Sequence, residues 1–527
     1  MNPRNLLLKY PVEAIFSFLF LIIACVINLQ FLDGANINRH ITGHDEYLTI
    51  REVYSIFEPI SFKHFIMAII SGDIIYYGRV MFYVDALISW IPYKMGGIEA
   101  MVFSIRTIHS LFILMALLIL NSTFIKGKLY SFLFLFGCLG LHFTWYFIQM
   151  PKPEPIQLLF LALFFRYFIK NNFNYGTYFI WLGLAFAAKF NVIVLLPFIF
   201  LLPIINNWSS NILIHSKNTF KGLAWFFTGF FMGIPCLLLS PIQPMFLESY
   251  IEKTILGSKK TYDNIDLSIY DWMREGLGYS YLGNSWASYL FLLTSLIIMI
   301  YLGYNFIKNK KMELSFVLIV CGLALTMIIM FTTKRLWPHY LWTGYVFIWL
   351  GLIKYIDYLN LKINKNVYST GMFFFFSLSM YGFLKNSLNE FWYADKKQEA
   401  IFEKKSGENL YSYIEKKYKG KNIGLDGTVF YPYKYYILSK LYHPFSTKRP
   451  VVCETCVSWH GDNLVEIWDN NDLVIFNKRH PPDYKNKKRD NYTPDNLSEI
   501  IKKFEVESST HFKLDTIIGP NWLYRKL

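Results

Sequence analysis

Apolar residues run almost without a break over positions 14–31, and runs of the same kind recur through the first 384 residues. A bilayer core takes about 20 apolar residues per helix, and shorter segments are tolerated inside a bundle. On that basis the pattern predicts spans near 12–31, 101–125, 129–148, 156–170, 176–189, 190–206, 219–240, 286–307, 313–333, 338–357 and 367–384, about 11 in all. Two further apolar stretches, 52–70 and 74–92, are interrupted by Glu58, Pro59, Asp73, Arg79 and Asp85, so they are expected to lie in the interface rather than cross it. Beyond Lys385 the pattern becomes mixed. There 408–419 and 431–442 read as helices, and 422–425, 451–453 and 473–476 read as strands. The expected fold is an α-helical polytopic membrane domain over 1–384, with a first external loop over 32–100, followed by a small C-terminal α/β domain over 385–527.

Composition agrees with this class. The chain is 54% hydrophobic and only 17% charged, more apolar surface than a water-soluble fold can hide. A formal charge of +15 would suggest nucleic acid in a soluble protein, but here the Lys and Arg residues flank apolar runs or fall in the tail, which makes them a topology signal. With the N-terminus inside, Lys126, Lys128, Lys170, Lys217, Lys221, Lys308, Lys310, Lys311, Lys362 and Lys365 all fall on the cytoplasmic side. Arg4 and Lys9 precede a first run with no cleavage signal, so that run is expected to remain as a span. The C-terminal domain is then expected to be extracytoplasmic, and the expected setting is an inner, cytoplasmic membrane of bacterial type. Neither a cofactor nor a catalytic metal is expected. His44-Asp45-Glu46 and Cys453-Glu454-Thr455-Cys456 satisfy the two short strings of zinc deaminases, but Val452 stands where Pro is required, and in an exported tail the cysteine pair is a disulfide candidate.

Four polar groups stand out on the side opposite the basic turns. Asp45 and Glu46 are adjacent carboxylates soon after the first span; either suits a general base toward a hydroxyl, and an acidic helix start is the competing reading. In Pro151-Lys152-Pro153-Glu154-Pro155, prolines hold two charges at the mouth of a span, either for binding or as a helix cap. Lys189 is a cation inside an apolar run, which marks a functional position unless it snorkels to the interface. Arg335 and His339, beside Trp337 and Tyr340, suit a phosphate or an interfacial anchor. The loop holding Tyr262, Asp263, Trp272 and Glu275 is expected to help close such a site against water.

These residues, in this order, resemble the GT-C glycosyltransferases, in the branch of protein O-mannosyltransferases and bacterial lipid A aminoarabinose transferases. The resemblance covers about residues 12 to 357 and is carried by Asp45-Glu46, Lys152-Pro153-Glu154-Pro155, the 183–191 string and 335–341. It implies an inverting transferase that takes sugar from a polyprenyl- or dolichyl-phosphate donor and delivers it to a protein, lipid or glycan acceptor. It further implies Asp45 as base, Glu46 as its neighbour, Glu154 as a second acidic residue, and Lys189 and Arg335 as phosphate partners; Lys152 and His339, read from their own positions, are expected to bind substrate as well. Ile75-Tyr76-Tyr77-Gly78-Arg79 departs from the family's Tyr-Pro-Pro type turn, and no Trp-Trp-Asp-Tyr-Gly string is present. Two other classes fit a chain with many spans and buried charge. One is a transporter or flippase of lipid-linked sugars; the other is a non-catalytic scaffold.

Overall fold

A computed structural model of the chain describes residues 10–32, 41–59, 61–72, 77–206, 212–252, 285–309, 312–328, 338–359, parts of 368–384, 394–418, 421, 423–425, 472–477 and 511–527; the side chains of 41–48 fall outside that description. The helices are α1 (Pro11–Leu32), α2 (Ile41–Phe57), α3 (Phe62–Ile70), α4 (Arg79–Phe124), α5 (Lys128–Leu139), α6 (His142–Gln149), α7 (Pro153–Lys170), α8 (Phe179–Ala188), α9 (Leu196–Asn206), α10 (Ile212–Gly233), α11 (Met245–Ile251), α12 (Ser285–Asn309), α13 (Leu314–Leu323), α14 (Trp342–Leu359) and α15 (Ala394–Lys417). The chain divides into two compact units. The first comprises Met1–Asn28, Ser61–Ile88 and Ser104–Trp392; the second comprises Leu29–Ile60, Ser89–Phe103 and Tyr393–Leu527.

The first unit is an apolar helical bundle. Among the described residues three helices are long and apolar enough to cross a membrane, or four if α5 and α6, bent by 69°, count as one broken span. The outward positions are themselves apolar, with Phe18 at 66% exposure on α1 and Ile300 at 61% on α12, which is the surface a bilayer solvates. Polar contacts inside the bundle tie particular helices together. Asn121 of α4 donates to Glu13 of α1 at 2.9 Å and to Ser131 of α5 at 3.2 Å.

Several apolar runs prove to be hairpins or broken helices. In α4 the backbone leaves the helical region at Gly97, where φ is 68°. A straight helix would separate residues 85 and 109 by about 36 Å. Instead His109 Nε2 meets Asp85 Oδ2 at 3.1 Å with both side chains fully buried, so the chain reverses between them. A second reversal is centred on Lys189. Past it a 3₁₀ turn, Phe190–Leu195, leads into α9, and the Tyr175 hydroxyl donates to the Phe200 carbonyl at 2.6 Å. The α5–α6 break frees carbonyls that side chains reclaim: Thr144 donates to Cys138 at 2.6 Å and Trp145 to Leu139 at 2.7 Å.

The stretch 52–70, read from sequence as one interfacial helix, is two. The first ends before Pro59, which disfavours helical geometry in the residue preceding it. The second, α3, starts from Ser61, whose side chain caps the His64 amide at 3.1 Å. The last carbonyls of α3 are taken up by the next segment. Arg79 hydrogen-bonds Ala68 O, and Tyr83 donates to Ile69 O at 2.6 Å.

Close helix packing depends on missing side chains. Gly183 of α8 lies against the Phe226 carbonyl of α10, and Gly229 of α10 lies against the Ile180 carbonyl of α8. Gly322 of α13 and Gly344 of α14 make a second reciprocal crossing, where a Cβ on either would stand 2.7 Å from the other's carbonyl oxygen. With no hydrophobic force between helices in lipid, such approach is what holds them together.

In the second unit, α2 packs on the 89–103 segment: Phe57 stacks on Tyr93 at 5.2 Å, and Glu58 accepts from Tyr93 at 3.0 Å and Lys94 at 3.3 Å. The tail forms a four-stranded sheet of β1 (Ile423–Leu425), β2 (Leu473–Asn477), β3 (Phe512–Ile518) and β4 (Asn521–Lys526), in the order β1-β2-β4-β3 with only the β1–β2 pair parallel. Leu410 and Ile414 of α15 bury against Leu473, Ile475 and Leu523. The hairpin β3–β4 escaped the sequence reading although Gly519-Pro520, with Gly519 at φ 58°, is a two-residue turn between β-rich runs. The expected segments 431–442 and 451–453 lie outside the described residues, as does most of 367–384.

Beside this core, Asp515 accepts from Tyr413 at 2.6 Å and from Lys417 at 3.0 Å. Burial raises its carboxyl pKa, but the hydrogen bonds from Tyr413 and Lys417 outweigh that and hold it below the ordinary value. Its stabilisation is therefore present above the unfolded value, about 3.9, and is lost as pH falls through the lower folded value.

Two outcomes are expected. Gly229→Leu should force α8 from α10 and cost about 1–3 kcal/mol, read as a lower melting temperature of the detergent-solubilised chain. Asp515→Asn should lower hydrogen-exchange protection of the 512–526 hairpin near neutral pH and abolish the additional loss that the wild type shows below about pH 4.

Candidate functional site

Glu154 and Lys189 meet inside the first unit. Lys152 stands at the N-cap of α7 in extended geometry, with Pro153 in the first turn, so proline fixes the entry and sets Glu154 one residue into the helix. Lys189 follows the last residue of α8 in an extended conformation, φ −156° and ψ 127°, at the tip of its hairpin. Its ammonium donates to Glu154 Oε1. The Glu154 side chain is fully buried and that of Lys189 is 10% exposed, so the pair stands in low dielectric.

The break at Lys189 is supported from α7. Gln157, one turn after Glu154, donates through Nε2 to the Lys189 carbonyl at 3.0 Å and to Asn191 Oδ1 at 2.5 Å. Thr343 of α14 donates to Gln157 Oε1 at 3.4 Å. One amide thus satisfies a freed backbone carbonyl and ties three elements together.

His339 enters from a 3₁₀ turn, Pro338–Leu341, immediately before α14. Its ring lies 5.3 Å from that of Tyr146 and within electrostatic reach of both Lys152 and Lys189. Lys152 Nζ lies 5.9 Å from the Tyr146 ring centroid, and Lys189 Nζ lies 3.4 Å from that of Tyr340. Lys152, Glu154, Lys189 and His339 are all buried. Two ammonium groups, a carboxylate and an imidazole thus share one apolar setting, where each charge needs a partner. Glu154 Oε2 and Asn191 Nδ2 are buried and make no hydrogen bond among the described residues, so the cluster has capacity left for a ligand.

Of the residues singled out in the sequence, the structure brings together Lys152, Glu154, Lys189 and His339. Asp45 and Glu46 lie on α2, in the second unit, and their side chains fall outside the described residues. Arg335, the loop with Tyr262, Asp263, Trp272 and Glu275, and Cys453 and Cys456 also lie outside them. Among the described residues no cluster of three His, Cys, Asp or Glu side chains is placed to hold a metal. Gln157, Asn191, Tyr146 and Thr343 were missed. Gln157 had a detectable signal, since an amide three residues after Glu154 in an otherwise apolar helix needs a partner. Gly78 was noted only as a departure from a family turn. It packs against the Ala187 backbone, where a Cβ would stand 2.9 Å from the carbonyl carbon, so the divergent segment abuts the end of α8 that carries Lys189.

Lys189→Met should cost about 3–5 kcal/mol of thermal stability, because it leaves Glu154 buried and unpaired. Adding Glu154→Gln should recover most of the loss. Thermal unfolding of both variants in detergent checks this, and a double variant no more stable than the single one would show that the pair does not carry the cost.

No protein-family model matches the chain, and no curated protein does. Among solved structures it is similar to the crystal structure of ArnT from Cupriavidus metallidurans bound to undecaprenyl phosphate, with a TM-score of 0.52 and 10% sequence identity over 97% of this chain and 98% of that one. At that identity the likeness speaks for architecture alone, and the chain therefore has the fold of ArnT.

Proposed function

We propose that the chain moves a sugar from a polyprenyl-phosphate-linked donor to an acceptor hydroxyl on the non-cytoplasmic face of the membrane, with inversion. The observation that carries this is the buried cluster of Lys152, Glu154, Lys189 and His339, in a chain with the fold of a protein that binds undecaprenyl phosphate. The proposed topology is about 11 spans with the N-terminus inside, which puts this cluster, Asp45 and the C-terminal domain on the non-cytoplasmic side.

In the proposed reaction the acceptor oxygen attacks the anomeric carbon from the face opposite the phosphate while Asp45 takes its proton, with Glu46 beside it. The carbon–oxygen bond to phosphate breaks and the electron pair leaves on the phosphate. Lys189, Lys152 and Arg335 stabilise that charge, and His339 adds a hydrogen bond. Glu154 holds Lys189 in place, and Gln157 holds the backbone at the break. A protein, a lipid or a growing glycan each supplies a suitable hydroxyl.

A second reading, a transporter of lipid-linked sugars, is favoured by the broken helices at 139–142 and 188–196, since transporters build midplane sites from discontinuous helices. The two differ in whether a bond breaks. Membranes containing the wild type should transfer or slowly hydrolyse sugar from a radiolabelled polyprenyl-phosphate donor, and Asp45→Asn should lower that rate by about 100-fold or more while still binding donor. Equal, negligible turnover by both proteins across a donor panel would favour the transporter.

A further inference from the structure

A cavity of about 680 Å³ opens at the other end of α7 from Glu154. Tyr167 lies 13 residues further along that helix, about 20 Å away. The cavity is lined by the α7–α8 turn, the first turn of α8, and Lys221 and Trp225 of α10, all in the first unit. It shares no residue with the charged cluster.

Its lining is rich in donors. Lys221 forms no ion pair among the described residues, and no Asp or Glu lines the cavity. Asn171 uses one amide hydrogen on the Tyr167 carbonyl at 2.7 Å and keeps the other. The Tyr167 hydroxyl and the indole nitrogens of Trp181 and Trp225 make no hydrogen bond within the described residues. A lysine with several neutral donors and no competing carboxylate is chemistry for a phosphate oxyanion.

The walls identify its source. Trp181, Trp225 and Tyr167 are the residue types that sit at the headgroup level of a bilayer. Directly beside Lys221 on α10, Phe220 is 73% exposed, and Phe227, two turns on, is 47% exposed. An acyl chain below a headgroup at Lys221 meets these apolar side chains on the adjoining face of α10, about 100° around the helix. We propose that this cavity binds the phosphodiester headgroup of an anionic membrane lipid, with Lys221 as its cationic contact and Trp181 and Trp225 as its walls.

The test is native mass spectrometry of the full chain in neutral detergent with equal amounts of phosphatidylglycerol and phosphatidylcholine. The wild type should retain phosphatidylglycerol preferentially. Lys221→Gln should reduce that retention about fivefold, the equivalent of one lysine near a lipid phosphate, and leave phosphatidylcholine unchanged. Lys308→Gln, at the end of α12, should change neither; both positions are exposed, so folding is spared. Equal retention of the two lipids by the wild type, or equal losses from the two substitutions, overturns the proposal. So does stabilisation of the lipid-free protein by glycerol phosphate or AMP that depends on Lys221 and exceeds that by phosphatidylglycerol, which would mark a soluble-anion site.

Discussion

The bundle is organised around one constraint: an ammonium and a carboxylate, Lys189 and Glu154, are kept together away from water. Separating such a pair in low dielectric costs several kcal/mol, so the elements bearing the two residues must arrive in register. Proline fixes the start of α7, and an extended residue ends α8. Gln157 then stitches the open backbone back to the helix that supplied the carboxylate.

Polar economy explains the remaining breaks. Each interruption of an apolar helix frees carbonyls that lipid cannot solvate, and each time a nearby side chain takes them up: Thr144 and Trp145 at the α5–α6 bend, Arg79 and Tyr83 at the end of α3, Gln157 at Lys189. Trp342 extends the first of these by donating to Thr144 at 2.9 Å, which couples the bend to the helix following His339. The glycine crossings of α8 with α10 and of α13 with α14 place the helices that carry Lys189 and His339 close enough for these short side chains to reach. Site and scaffold are therefore one network, and the ion pair, the amide bridge and the glycine contacts depend on one another.

The two ends of α7 differ in chemistry. Its first turn faces a buried cluster in which Glu154 pairs with Lys189, whereas its last turn borders an open cavity in which Lys221 forms no ion pair among the described residues. Low dielectric at the first makes each contact strong and structurally demanding, whereas water at the second lets a lysine stand alone at little cost.

The amino-acid sequence by itself determined the membrane class, because long apolar runs admit no other solvent, and it marked many of the helices that the structure describes, since a run's ends are marked by charge and proline. It also marked Lys152, Glu154, Lys189 and His339 as unusual, because ionisable groups in apolar surroundings are costly wherever they occur. Tertiary structure alone decided that Glu154 pairs with Lys189, 35 positions away, and that Gln157 serves the carbonyl at the break. Periodicity reports what a helix buries but not which neighbour it meets. The reversals around Gly97 and Lys189, and the second unit's inclusion of first-loop segments, depend on contacts between residues remote in the chain, for which composition and spacing carry no signal.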